Sequence, residues 1–189
     1  MIDEHFQLIL EEARDGMQKS IEHLAHELGH IRAGRANPAM VEDVRVDADG
    51  AQMPRNQVAT IIAPQSDLIV IQPWDKSMLG PIERGIMQAT LGLNPTNDGV
   101  LIRLALPPLT EERRRDLTKQ ARSKAEDAKI AVRNVRRGAK DQIGKTFKAE
   151  RLSEDMRYEA EDRLQKATDE YVGKIDAMAD KKEVDIMTV

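Results

Sequence analysis

The chain has 189 residues, with 29 Lys and Arg against 33 Asp and Glu, 40% hydrophobic residues and no cysteine. This length fits one large domain or two small ones, and the missing Cys excludes a disulfide framework and any thiolate metal site. Only 3% of residues are aromatic while 33% are charged, so the core must come from Leu, Ile, Val, Ala and Met, and long exposed helices are expected rather than an aromatic-rich globule.

Residues 3–32 are expected to be helical. Phe6, Leu10, Ala13, Met17, Ile21, Leu24, Leu28 and Ile31 recur three or four apart, the seam of a helical bundle. The pattern stops at Gly34-Arg35-Ala36-Asn37-Pro38, where Gly tolerates positive φ and Pro38 biases Asn37 away from helix. The acidic segment Met1 to Phe6 lacks an apolar leader core, and no apolar run approaches the ~20 residues that span a bilayer. A soluble, cytoplasmic protein is the expectation.

Residues 39–106 follow a different pattern. Val41, Val44 and Val46 predict a strand ended by Asp49-Gly50, Val58 to Ala63 a second ended by Pro64, and Leu68 to Gln72 a third. Ser77 is the expected cap of a short helix containing Pro81, Ile82, Ile86, Met87 and Leu91. Asn94 to Gly99 is expected as a loop and Val100 to Leu106 as a closing strand. Trp74, in Pro73-Trp-Asp-Lys76, is expected to pack at a strand end rather than serve as a ligand platform.

Pro107-Pro108 forms a second stiff joint. Thr110 suits an N-cap, and Glu111 and Glu112 complement the dipole of the helix that follows. The apolar stripe of that helix is Leu117, Ala121, Ala125, Ala128, Val132, Val135, Ala139 and Ile143. Ser153 caps another helix with the seam Met156, Ala160, Leu164, Ala167, Tyr171, Ile175 and Met178. Each of the three long helices has one apolar stripe, so none is stable alone. The expected class is α+β: a long three-helix bundle from 1–31 and 107–189, with a small β-rich (β/α/β) domain, 32–106, inserted between the first and second long helices. Forty helical residues span roughly 60 Å, so a rod with a small domain on two short joints is expected, and two joints to one domain make a hinge.

Charge is concentrated on the second long helix. Glu111 to Arg151 holds 14 Lys and Arg against 7 Asp and Glu, an excess of +7, while the other residues hold 15 against 26. Arg115, Lys119, Arg122, Lys129, Arg133, Arg136 and Lys140 recur three, four or seven apart, on one side of a helix. Five of them follow an apolar-stripe residue by one position, so they lie roughly 100° around from the seam. An i,i+4 acid accounts for Arg122 (Glu126), but no acid falls between Asp127 and Asp141, which bracket Val132-Arg-Asn-Val-Arg-Arg137. A one-sided cationic stripe on an acidic protein points to a polyanion. Structured RNA fits better than DNA: there is no helix-turn-helix signature, and the aromatic platform of single-strand binders is missing. A membrane fits less well still, because no wide apolar face opposes the cations.

Enzyme chemistry is hard to build from this sequence, which has no Cys nucleophile and no Gly-rich phosphate loop. His23, His26 and His30 share a helical face and could in principle hold a metal; with no Cys nearby to complete a site, a solvated face is expected and no metal is assigned. Glu11-Glu12 and Glu111-Glu112 are adjacent pairs, which diverge on a helix.

The segments Ile31-Arg-Ala-Gly-Arg-Ala-Asn-Pro38, Trp74-Asp-Lys-Ser-Met78, Leu91-Gly-Leu-Asn-Pro95, Leu106-Pro-Pro-Leu-Thr-Glu-Glu-Arg-Arg114 and Val132-Arg-Asn-Val-Arg-Arg137 occur in this order and span nearly the whole chain. Together they resemble the bacterial ribosome recycling factor family. The resemblance implies a three-helix bundle with a β-rich second domain joined by two hinge strands. It implies a protein without catalytic chemistry or cofactor that binds the large ribosomal subunit after termination and, with elongation factor G and GTP hydrolysis, splits the ribosome. Carried over by motif, Arg133, Arg136 and Arg137 would contact large-subunit ribosomal RNA, with Arg32 and Arg35 as further contacts; Arg122, Lys129 and Lys140 join this set through the stripe. Gly34, Pro38, Pro107 and Pro108 would form the hinge, the inserted domain would face the small subunit and elongation factor G, and a monomer is favoured. Two positions depart from the family pattern: Gly138 stands where Asp is frequent, and Asn37 where Ser is frequent. The alternatives are an adaptor bundle that docks another protein or RNA, and a metal-dependent hydrolase built on the three histidines.

Overall fold

The computed structural model describes residues 2–31, 36–42, 44–48, 51–54, 58–89 and 93–188. Arg32, Gly34, Arg35, Asp49, Gly50 and Leu91 lie outside the described residues. The α+β class is as expected: three long helices, with a small unit of strands and one helix between the first and the second. The elements are α1 (Glu4–His30), β1 (Arg45–Ala48), β2 (Ala51–Pro54), β3 (Ala59–Gln65), β4 (Leu68–Pro73), α2 (Leu79–Gln88), β5 (Pro95–Asn97), β6 (Ile102–Ala105), α3 (Glu111–Ala149) and α4 (Glu154–Met187). The chain forms two compact units, one from Met1–Leu28 with Lys119–Lys182, the other from Gly29–Thr118 with Glu183–Val189.

The first unit is helical. Its buried apolar residues are Phe6, Ile9, Ala13, Met17, Leu24 and Leu28 of α1, Ala121, Ala125, Ala128, Val132, Ala139 and Ile143 of α3, and Ala160, Leu164, Ala167, Tyr171, Ile175 and Ala179 of α4. Ile9 is buried where the seam predicted Leu10, which is half-buried beside it. The alanines of α3 and α4 let the helices approach closely, while Phe6, Met17, Leu24 and Leu164 fill the space between them. Register is visible at two points: Gly16 lies against Val135, whose methyls stand 3.3 Å from where a Cβ would be, and Glu27 reaches Lys124 at 3.4 Å. Eleven residues up α1 correspond to eleven down α3, so these helices are antiparallel. Arg122 meets Asp180 while Arg136 meets Gln165, so α3 and α4 are antiparallel as well. Ser153 caps α4 as expected, its hydroxyl accepting the Met156 N–H at 3.3 Å.

The second unit is a four-stranded antiparallel sheet, order β3-β4-β6-β5, with the β1-β2 hairpin paired separately. One sheet face packs Ala59, Ile69, Ile71, Ile102 and Leu104 against Leu79, Ile82 and Ile86 of α2, and Met40, Val41, Val44 and Val46 complete this core. Full burial of each such Ile or Leu is worth roughly 1.5–3 kcal/mol. The Thr110 hydroxyl accepts the Arg113 N–H at 3.0 Å and caps α3 as expected. Arg114 donates to the carbonyls of Ile186 and, at 2.9 Å, Thr188, so a cation closes the C-terminal end of α4.

Several local expectations are corrected. Val41 ends a 3-10 turn, Pro38–Val41, instead of opening a strand, because the Asn37 side chain accepts the Ala39 N–H at 3.0 Å and starts the turn. β3 runs through Pro64 to Gln65; the ladder shifts register between Ile62 and Gln65, where a missing N–H is tolerated. Asp75, not Ser77, is the cap: its carboxylate accepts the Ser77 N–H at 3.0 Å and starts a 3-10 turn, Lys76–Met78, that leads into α2. Residues 95–97 form β5 on β6 rather than part of a loop. Trp74 is 67% exposed, its indole N–H donating to the Thr60 hydroxyl at 3.0 Å across the outer sheet face, so it is not packed into the core.

The β5-β6 turn is tied by a charged carboxylate. The Asp98 carboxylate accepts the N–H groups of Leu101 (2.7 Å) and Val100 (2.9 Å) and pairs with Arg103, and these donors hold its pKa down to about 2. Asn97 accepts the Gly99 N–H at 2.8 Å, and Gly99 takes φ +88°, a conformation that favours glycine.

Two outcomes follow. The Asp98 pKa lies below the ~3.9 of an unfolded Asp, so its stabilisation is present above that value and is lost as pH falls toward about 2. Asp98→Asn should therefore flatten the acid limb of a plot of denaturation midpoint against pH. A Cβ on Gly85 would stand 2.7 Å from the Arg45 carbonyl oxygen, where α2 crosses β1. Gly85→Ala should cost about 1–3 kcal/mol, read as a lower urea midpoint.

Candidate RNA-binding face

The candidate site is the cationic side of α3, within the first unit. A helix that buries Ala125, Val132 and Ala139 toward its partners must turn the positions one step along the chain partly away from them. The structure divides these cations into two rows. Arg122, Lys129 and Arg136, seven residues apart, reach α4: Arg122 to Asp180 at 2.8 Å, Lys129 to Asp176 at 2.5 Å, and Arg136 to the Gln165 side-chain oxygen at 2.8 Å. Lys129 also reaches Glu126 at 3.3 Å. Its side chain is only 15% exposed, and the Asp176 carboxylate raises its pKa above that of a free lysine.

Arg133, Arg137 and Lys140 form the other row. Arg133 is four residues past Lys129 and Arg137 four past Arg133, each step roughly 40° further round the helix, while Lys140 lies five whole turns past Arg122 and shares its angle. All three are exposed, and they make no ion pair or side-chain hydrogen bond among the described residues. Gly138 lies among them, exposed, with no neighbour within 4 Å of where a Cβ would be. The result is a row of fixed, solvated positive charge on a rigid helix, suited to phosphate oxygens.

In the sequence Arg122, Lys129, Arg133, Arg136 and Lys140 form one stripe, with Arg137 added by its motif; Asp180, Asp176 and Gln165, which engage Arg122, Lys129 and Arg136, are what divide it. These residues could have been found only by setting α3 against α4 in antiparallel register. Pro38 opens the 3-10 turn, and Pro107 and Pro108 lie between β6 and α3. His23 is exposed, 3.5 Å from Glu27, on a groove of about 410 Å³ between α1 and α3 that also holds Lys19, Lys124 and Asp127. Among the described residues, no group of three His, Cys, Asp or Glu is placed to hold a metal ion, and no helix is long and apolar enough to cross a membrane.

The sequence model of the Ribosome recycling factor family matches residues 24–187. The ribosome-recycling factor of Carboxydothermus hydrogenoformans is 51% identical over 181 residues, covering 96% of this chain and 98% of that protein. That of Salinibacter ruber is 49% identical over 189 residues, the full length of both. Among solved structures, the solution structure of a ribosome recycling factor superposes with a TM-score of 0.81 at 42% identity over the whole of both chains. A second, with a TM-score of 0.70 and 44% identity, covering both chains fully, is the T. thermophilus ribosome recycling factor, described with E. coli elongation factor G bound to the E. coli post-termination complex.

The two rows should separate in stability measurements. Lys129→Ala removes one partner of a largely covered ion pair and should cost roughly 0.5–1 kcal/mol, whereas Arg133→Ala should stay within about 0.5 kcal/mol of the parent. Because the Lys129 pKa is raised, the contribution of the pair persists through neutral pH and fades only as pH rises through the alkaline range. Urea unfolding at neutral and alkaline pH checks both points.

Proposed function

This chain belongs to the ribosome recycling factor family, and from that premise we propose that it binds the post-termination ribosome through large-subunit ribosomal RNA and, with elongation factor G and GTP, splits it into subunits. The observation that carries the RNA contact is the row Arg133, Arg137 and Lys140, exposed and without acidic partners among the described residues. Arg122, Lys129 and Arg136 belong to the same contact set with a second task, bracing α3 on α4. Arg32 and Arg35 are assigned as contacts by their motif.

The protein acts by binding, with no reaction at its own side chains and no cofactor. The bundle, 1–31 with 107–189, is anchored on RNA, and the inserted domain, 32–106, is moved about the joints at Gly34, Pro38, Pro107 and Pro108 while elongation factor G hydrolyses GTP. It works as a monomer in the cytoplasm, on ribosomes and not on DNA or membranes. Two of these assignments draw on the partners described with a structural relative, the post-termination complex and elongation factor G.

Light scattering of post-termination ribosomes tests the activity. A fall in scattering that requires this protein, elongation factor G and GTP together is the expected result; no fall with all three, beside a working family member, would overturn it. Binding to large subunits at several salt concentrations tests the face. Arg133→Ala, Arg137→Ala and Lys140→Ala should each weaken binding and reduce the salt slope by about one. An unchanged slope in all three would remove this row from the contact.

A further inference from the structure

We propose that Arg157 and Tyr158, at the start of α4, hold one unstacked nucleotide of the ribosomal RNA, its base on the tyrosine ring and its phosphate on the guanidinium. The inference rests on the RNA-binding reading above and adds to it a contact on a second helix.

The Arg157 guanidinium lies over two rings, 4.7 Å from the centre of Phe147 and 5.0 Å from that of Tyr158. Both distances fall within the ~6 Å reach of a cation–π contact. Arginine keeps its charge in proteins, so the charge held there is permanent. Nothing among the described residues neutralises it: Glu154 and Glu161 stand at helical-neighbour spacing, yet neither forms an ion pair with it. Its Nε is buried and makes no hydrogen bond to the protein. The rings thus fix a cation in place while its outer nitrogens remain available to an anion.

Its position links it to the row on α3. Phe147 follows Lys140 by seven residues, two helical turns on the same face. Phe147 also lies five whole turns past Lys129, so it faces α4 as Lys129 does, and the guanidinium over it stands about 10 Å along the helix axis from Lys140. The turn itself is tied down. The Leu152 N–H donates to the Phe147 carbonyl at 3.2 Å, Arg151 takes φ +50°, and Ser153 caps α4.

Tyr158 supplies the second half of the site. It is 55% exposed, and its ring meets the charged group of its own neighbour. A planar, exposed ring beside a fixed guanidinium is the pairing that receives an unstacked base with its phosphate, and folded RNA offers such bases in loops and bulges. Two aromatic rings, Phe147 and Tyr158, are thus assembled about the Arg157 guanidinium, which the turn brings to Phe147.

Binding of the full chain to large ribosomal subunits, with chemical probing of the RNA bases, tests this. Tyr158→Leu should weaken binding about tenfold, leave the salt slope unchanged, and expose to modification at least one base that the parent protects. Arg157→Ala should weaken binding and lower the slope by about one. Arg157→Lys should restore the slope but only part of the affinity, because the planar group is gone. Circular dichroism and urea midpoints equal to the parent's show that these variants fold. If Arg133→Ala weakens binding while Tyr158→Leu and Arg157→Ala change neither affinity nor protection, the nucleotide site is overturned and the RNA-binding reading stands. If none of the three variants alters binding, the RNA-binding reading falls and takes this site with it.

Discussion

Everything in the first unit depends on an angle fixed by helix geometry, the roughly 100° between one residue and the next. α3 uses it to carry two incompatible surfaces. Ala121, Ala125, Ala128, Val132, Ala139 and Ile143 must leave water, and the cations one position later must stay in it. A wider apolar stripe would bury the arginines at a high desolvation cost. A narrower one would leave α3 without enough contact to stay on its neighbours, since a helix with one apolar face is marginal alone. The small alanines resolve this. They allow close approach of the backbones, so a narrow seam suffices, and the large side chains of α1 and α4 supply the bulk.

Close approach also decides the fate of the charges. The cations nearest the seam come within reach of α4, and α4 meets them with Asp180, Asp176 and Gln165. Arg133, Arg137 and Lys140 are exposed and make no ion pair among the described residues. A single periodic run therefore yields both braces and free charges: Arg133 and Arg137 lie further round than Lys129, while Lys140 shares the angle of Arg122 yet makes no ion pair among the described residues. Lys129 shows the consequence most clearly: the Asp176 carboxylate raises its pKa and its side chain is largely covered, whereas Arg133, four residues later, is open.

This physics explains what could be read from the sequence. Long seams repeat many times, so all three helices and the caps Thr110 and Ser153 were legible. Short elements carry little redundancy. Ala51-Gln-Met-Pro54 has no β-branched residue, and β2 exists because β1 pairs with it. β5 contains Pro95 and Asn97, a turn-like composition, and forms because β6 offers an edge. Asp75 and Ser77 both suit a cap; the choice depends on backbone placement two residues before the helix proper. The cationic face was legible as charge but not as two rows, because partnership across helices is set by antiparallel register and leaves no periodic trace on either helix alone. Arg157 is the extreme case. Its ring partners lie ten residues before it and one after, and only the reversal of the chain at Arg151 brings the three together.

The charge of the whole chain can then be understood from the same face. The net charge is −4, yet Glu111 to Arg151 carries +7. If all that mattered were affinity for phosphate, a uniformly basic protein would bind more strongly. It would also bind anywhere and in any orientation, because phosphate attraction carries no sequence information. Acid spread over the other segments would repel a polyanion from most of the surface and leave attraction to Arg133, Arg137 and Lys140, which make no ion pair among the described residues. Such a field would orient the encounter as well as draw it in. On this view the acids of α4 act twice. Asp176 and Asp180 hold the helix that carries the cations, and by neutralising Lys129 and Arg122 they leave the free charge to Arg133, Arg137 and Lys140.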